Sequence, residues 1–259
     1  MKRLAIISAL TLFFALPCFA QQSIEGEWVG GSNLFGNQVF IQTKFERTGT
    51  ALTGNLSSMA WRVVHRPFSL VRFESPQLHF ELPSNTGVPF VADGRLESGS
   101  IRGTMRRGNE QGTFHLVPVA RVNHSLYDGY VGTYQREPNK FLLITWGGFG
   151  HLRLVDPDSG TSVALFPSSE TTFFFGANVV GSTTAQQTVS FTRNDSGSVT
   201  SLTVRQPNIP DKSLPKVERY RQEQVRLRNG NVTLAGTLLL PPTSGRHPAI
   251  IFHEGSGDW

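Results

Sequence analysis

The chain has 259 residues, 38% of them hydrophobic and 17% charged, with 26 glycines and 15 prolines. That composition belongs to a folded chain with many turns and excludes a disordered polymer. The net charge of +5 is scattered, and a nucleic-acid binder would gather it into a stripe with interleaved aromatics. Arg102, Arg106 and Arg107 are the densest basic group and read as a solvated hairpin tip.

In chain order, Met1-Lys-Arg3 is followed by an apolar run to Leu16, then Pro17 and Cys18-Phe-Ala20. A basic start, an apolar centre and small residues at the cut are the marks of a secretory leader. Cleavage is expected after Ala20, making the protein exported, periplasmic or extracellular. The apolar run is too short to span a bilayer well, so no stable membrane span is expected. Ala15-Leu16-Pro17 lacks the pattern that precedes a lipid-bearing cysteine. Losing Cys18 would leave no cysteine, so stability must come from apolar cores.

Residues 21–122 read as an all-β unit of the barrel or sandwich kind. Gly26-Glu-Trp28-Val-Gly30 opens it, and alternating segments follow at 38–45, 52–56, 68–73, 78–82, 90–96, 100–105 and 112–117. Turns of Gly, Asn, Ser and Pro separate them at the spacing of a β sandwich or barrel. No window sustains a helical period. Gly26-x-Trp28, with its recurring Gly-x-Leu and Ile-x-Gly-Thr strands, resembles lipocalin-like small barrels. The abundance of phenylalanine, 19 in all, predicts an interior filled by side chains rather than by a ligand.

Residues 123–207 read as a second β unit, opened by Tyr130-Val-Gly132-Thr-Tyr134. This opening plays the same part as Gly26–Trp28: a bulky aromatic beside a glycine at a first strand. Strands are expected at 141–146, 151–155, 162–166, 171–175, 188–192 and 199–205. Asp156-Pro-Asp158-Ser-Gly160 and Asn194-Asp-Ser-Gly197 are turns, because Asx side chains bond their own backbone and glycine takes positive φ. Leu165-Phe-Pro167, Phe173-Phe-Phe175 and Phe191 to Gly197 resemble the small β domains appended to secreted β-lactamase-like and hydrolase proteins. Residues 208–223, with prolines and charges, read as a linker containing at most one helical turn.

Residues 224–259 alternate around Asn229-Gly230, a hairpin signal, until Pro241-Pro242 stops them. Ala249-Ile-Ile-Phe252 then reads as a strand covered on both faces, running into a glycine-rich turn. Gly236, Leu238, Pro241, Pro248, Ile250 to His253, Gly255 and Gly257 resemble the opening of an α/β-hydrolase domain of the dienelactone hydrolase or serine peptidase-like kind. The resemblance implies the first strands of an α/β-hydrolase domain behind two antiparallel β units. It also implies an oxyanion loop at His253, Glu254, Gly255, Ser256 and Gly257, with backbone donors at Glu254 to Ser256. Glu254 departs from the family's glycine. No Gly-x-Ser-x-Gly elbow occurs anywhere, so nucleophile, acid and base are missing and the chain reads as truncated and inactive by that mechanism. A completed enzyme would act on a small ester or peptide, with no cofactor.

None of the seven histidines stands at zinc spacing, and no metal is expected. His79 and His115 read as ordinary strand histidines. Asp156 and Asp158 lack the acidic pattern of a calcium loop. Two readings remain: the front of an exported hydrolase, or an exported, non-catalytic β protein that binds a lipid, glycan or protein partner.

Overall fold

Period-two alternation with turn residues every few positions dictates strands, and strands are what form. The structure, a computed structural model, describes residues 23–147, 150–177, 182–241 and 245–250. The leader at 1–20 and the glycine-rich turn at 253–257, with its expected oxyanion donors, lie outside the described residues.

The first unit is an antiparallel meander: β1 (Gly26–Ser32), β2 (Val39–Thr48), β3 (Ala51–Ser58), β4 (Val63–Pro67), β5 (Leu70–Glu74), β6 (Gln77–Leu82), β7 (Phe90–Glu97), β8 (Ser100–Arg107) and β9 (Glu110–Val119). Its sheet order is β4-β3-β2-β1-β9-β8-β7-β6-β5, so the two edge strands are neighbours in the chain. The joint between them serves both sides. Phe68 N–H donates to Gly54 on β3 at 2.9 Å, and Ser69 N–H to Glu81 on β6 at 2.9 Å. The sheet therefore curls until its edges meet, which leaves no long unpaired edge. Its interior is solid. Phe45, Phe68, Phe80 and Phe114 form a chain of ring contacts with centroids 4.7–5.9 Å apart, among Trp28, Ile41, Leu56 and Leu78.

A short 3₁₀ turn (His124–Leu126) and α1 (Tyr127–Tyr130) lead into the second unit. That unit is a closed barrel: β10 (Gly132–Glu137), β11 (Lys140–Trp146), β12 (Leu152–Asp156), β13 (Thr161–Pro167), β14 (Thr172–Ala177), β15 (Ser182–Arg193), β16 (Val199–Gln206) and β17 (Ile209–Val217), each paired with the next. β17 closes on β10 through Thr133↔Val217 and Tyr134↔Lys216. Thus the stretch expected as a linker supplies a barrel strand. Pro210 and Pro215 argued against a strand, yet Pro215 pairs opposite Ser201, and closure demands a last strand beside β10.

The two openings are built alike. Gly26 and Gly132 have φ of +130° and +150°, a region closed to residues with a Cβ. Two residues later, Trp28 Nε1–H donates to the Ile24 carbonyl at 2.8 Å, and Tyr134 Oη–H to the Tyr130 carbonyl at 2.7 Å. In each unit the aromatic reaches back across the glycine and ties down the segment that enters the barrel.

The units pack side by side through outward-facing residues of β1, β9, β13 and β14. Val29, Val119, Phe166 and Phe174 are buried together, and Phe40 stacks on Phe166 at 5.7 Å. Ala120 N–H donates to the Pro167 carbonyl at 2.8 Å. Beyond the barrels, β18 (Arg221–Asn229) and β19 (Val232–Leu240) form a separate hairpin, joined by the turn that Asn229-Gly230 predicts. Val225, Leu227, Val232, Leu234 and Leu238 share one of its faces by register, and Leu227 and Val232 are 64% and 59% exposed.

These findings correct the α/β-hydrolase resemblance. Every strand pairing among the described residues is antiparallel, and their one α-helix is the four-residue α1. An α/β-hydrolase sheet needs parallel strands joined by crossover helices. Ala249 and Ile250 form no strand, and Ile250 is 79% exposed. The lipocalin-like motif marks the first unit, but the closed eight-stranded barrel is the second.

Candidate functional site: the open end of the second barrel

The second barrel is plugged at one end and open at the other. At the plugged end, α1 drives Tyr127 and Tyr130 inward against Tyr134, Phe173 and Phe191. Tyr130 stacks on Phe191 at 4.2 Å and donates from Oη to the Glu170 carbonyl at 2.7 Å. Arg193 caps the cluster with its guanidinium over the Tyr130 ring and a short bond to its hydroxyl. Burial, then the charge of Glu27 and the neighbouring Tyr130, pushes the Tyr127 phenol up to about 12. Burial raises Tyr134 as well, with Tyr130 adding to it. These phenols stay neutral and serve as bolts.

Towards the other end, the inward positions shrink and then turn polar. Along β15 the series runs Phe191, Val189, Gln187; along β16, Leu202, Val204, Gln206; along β13, Leu165, Val163, Thr161. The smaller side chains leave a cavity of about 500 Å³. Leu142, Leu154, Val163, Phe175, Val204, Ile209, Pro210 and Leu214 form its apolar lining, and Arg136, Asp156, Thr161, Gln187, Gln206 and Lys212 its polar rim. Cavities of several hundred Å³ with apolar walls and a few polar groups are the usual form of small-molecule sites.

The rim's charges are largely spent on one another. Arg136 bonds Asp156 at 2.9 Å and Asp158 at 2.8 Å. Burial would raise the Asp156 carboxyl, but bonds from Arg136, Ser159 and the Asp158 N–H outweigh it and hold it below the usual carboxylate range. Asp158 N–H donates to Asp156 Oδ1 at 3.1 Å, the Asx turn that the sequence predicts. Lys212 lies 3.8 Å from Glu137, a loose pair on the exposed rim. Gln206 Nε2 reaches Gln187 Oε1 at 3.4 Å between the neighbouring strands β16 and β15. The rim thus offers hydrogen-bonding amides and a hydroxyl around one loosely held ammonium, not a strong field of either sign.

Of the other histidines and acids, His79, Glu74 and Asp93 line a shallower, more polar depression of about 500 Å³ on the first unit, together with Arg72, Arg95 and Arg102. His79 contacts Asp93 at 2.7 Å and Glu81 at 3.4 Å on the outer face of the first unit. His115 is held below its usual pKa by burial and then by Arg102, and its Nε2 is buried without a hydrogen bond. His151 sits between the units, 3.5 Å from Glu27 but not aligned to hydrogen-bond with it. Burial lowers its pKa, Glu27 opposes this, and His124 adds to it. No cluster of His, Cys, Asp and Glu fit to hold a metal occurs among the described residues.

Sequence reading put the site in the turn at 253–257, expected the first β unit to be filled, as it is, and assigned no site to the second. The cavity went unnoticed because a filled and a hollow barrel alternate identically. The missed signal is the size gradient along β13, β15 and β16. No family model matches this chain, and no curated protein matches it. Two solved structures, titled "Crystal structure of SurE with D-Leu" and "Crystal structure of SurE", are 15% and 14% identical over 54% of this chain. The chain spans 38% and 36% of their length, with TM-scores of 0.28 and 0.27, too low to signify a shared fold.

Proposed function

We propose that this is an exported, non-catalytic binding protein whose second barrel takes a small amphipathic molecule. The observation that carries this reading is the cavity of about 500 Å³ with eight apolar lining residues and a polar, nearly charge-balanced rim. Such a site buries an acyl or other apolar body and leaves a hydrogen-bonding head at Gln187, Gln206 and Thr161. A glycan would find one aromatic in the lining, Phe175, against which to stack a ring. The lining therefore favours a lipid-like ligand over a sugar. Export is supported by the leader pattern of residues 1–20.

The test is fluorescence titration with anilinonaphthalene sulfonate, followed by competition with long-chain alcohols. Saturable binding displaced by the alcohols is expected, and Leu154→Trp should abolish it while leaving the melting temperature near the parent's. No saturable binding, or binding unchanged in Leu154→Trp, would refute the reading.

A further inference from the structure

The cavity does not account for one end of the first unit. There the loop after β1, the turn after β3, the loop after β6 and the turn after β8 converge. Phe35 lies edge-on to Trp61 and Phe90 at 6.4 and 6.3 Å, and Trp61 stacks on Phe90 at 5.3 Å. Arg107 spreads its guanidinium over Phe90 at 4.8 Å and bonds Thr86 Oγ1 at 2.6 Å. Arg66 bonds Asn85 Oδ1 at 3.1 Å. One platform results from four separate chain segments.

This platform presents apolar tips to solvent. On these segments Met59 is 55% exposed, Val88 44% and Phe35 40%, and Val64 on the adjoining strand β4 is 51% exposed. Phe35 and Arg62 are held at φ of +66° and +55°, conformations that bulky residues adopt only when their surroundings enforce them. The surrounding charge is mostly positive. Arg62, Arg66, Arg106 and Arg107 belong to these segments, with Glu110 as their acid. None of the four arginines forms an ion pair among the described residues.

From this juxtaposition we infer that the loop end of the first unit docks on the surface of an anionic lipid bilayer. Apolar tips enter the boundary between headgroups and acyl chains, while the arginines meet lipid phosphates and carboxylates around them. Trp61 and Phe35, amphipathic or aromatic and partly exposed, suit that boundary. This is docking by loops, not spanning, and no helix among the described residues is long and apolar enough to cross a membrane. The inference stands apart from the cavity and does not depend on what fills it.

Flotation of the full chain with vesicles tests it. The parent protein is expected to float with phosphatidylcholine vesicles containing phosphatidylglycerol, weakly with phosphatidylcholine alone, and less as salt rises. Arg62→Glu with Arg106→Glu should weaken binding about tenfold or more. Met59→Ser with Val64→Ser should leave a residue of binding that salt removes. Each variant is first matched to the parent by thermal melting, with Arg→Gln replacing Arg→Glu where reversal shifts the melt. A parent that does not float with anionic vesicles, or either variant pair binding like the parent, overturns the inference.

Discussion

The two units share a plan and differ in their filling. Each is an antiparallel meander that curls until its ends meet, entered past a glycine at extreme positive φ and fastened by an aromatic bonded four residues back. The first packs phenylalanine against phenylalanine through its middle. A pair of inward glycines, Gly94 and Gly103, makes room there for the Phe114 ring, which would meet a Cβ at either position at 2.9 or 2.8 Å. The second concentrates its rings at one end and thins to valine, threonine and glutamine at the other. Topology settles that there is an inside. The order of side-chain sizes along the strands settles whether the inside is occupied.

The largest effect should come from opening the filled unit. Phe80→Ala removes a ring in contact with Phe45, Phe68 and Phe114, and should cost about 3–5 kcal/mol in denaturant unfolding. Overfilling should then separate the units. Ala92→Phe, in the packed core of the first, should cost about 1–3 kcal/mol. Val204→Phe, at the cavity of the second, should fit with little loss in melting temperature while blocking the ligand probe. Equal penalties for these two would dissolve the contrast.

The shared opening can be broken in either unit. Gly132→Ala strains the backbone and drives a Cβ to within 2.6 Å of Lys216 Cε, so about 1–3 kcal/mol should be lost. Gly26→Ala meets no neighbouring atom and should cost less, through strain alone.

The rim gives a pH signature. Asp156 has a depressed pKa when folded, so its pairing with Arg136 stabilises above the unfolded carboxylate pKa and is lost as pH falls through the folded value. Asp156→Asn should therefore reduce stability at neutral pH by up to about 1 kcal/mol. The gap should close in acid. A gap independent of pH would mean that the pair does not carry it.

The smallest effect belongs to the hairpin. A lone two-stranded ribbon is marginal in water, and its apolar face covers neither barrel. Leu227→Ser with Leu234→Ser should leave the barrels' unfolding within about 0.5 kcal/mol of the parent. A larger loss would show that the hairpin packs on them.

Much of the architecture was written locally. Alternation placed most strands, Asn229-Gly230 placed the hairpin turn, Asp156 to Gly160 placed an Asx turn, and the two glycine–aromatic openings stood out as a pair. Each is a property of a few adjacent residues, set by backbone sterics and side-chain period. β4 and β17 were less legible. β4 is short and carries His65 at φ +46°, and β17 contains two prolines; β4 forms by pairing with β3 at the edge of the curled sheet, and β17 by closing the second barrel between β16 and β10. The α/β-hydrolase reading failed for the complementary reason. A short apolar run with glycines is compatible with many settings, and only the neighbouring strands and helices would have made it one. What the sequence determined alone was an all-β chain with two similar starts. The curling of each sheet, the empty end of one barrel and the meeting of four loops around Arg107 were decided by tertiary packing, because each depends on residues that the chain brings together from far apart.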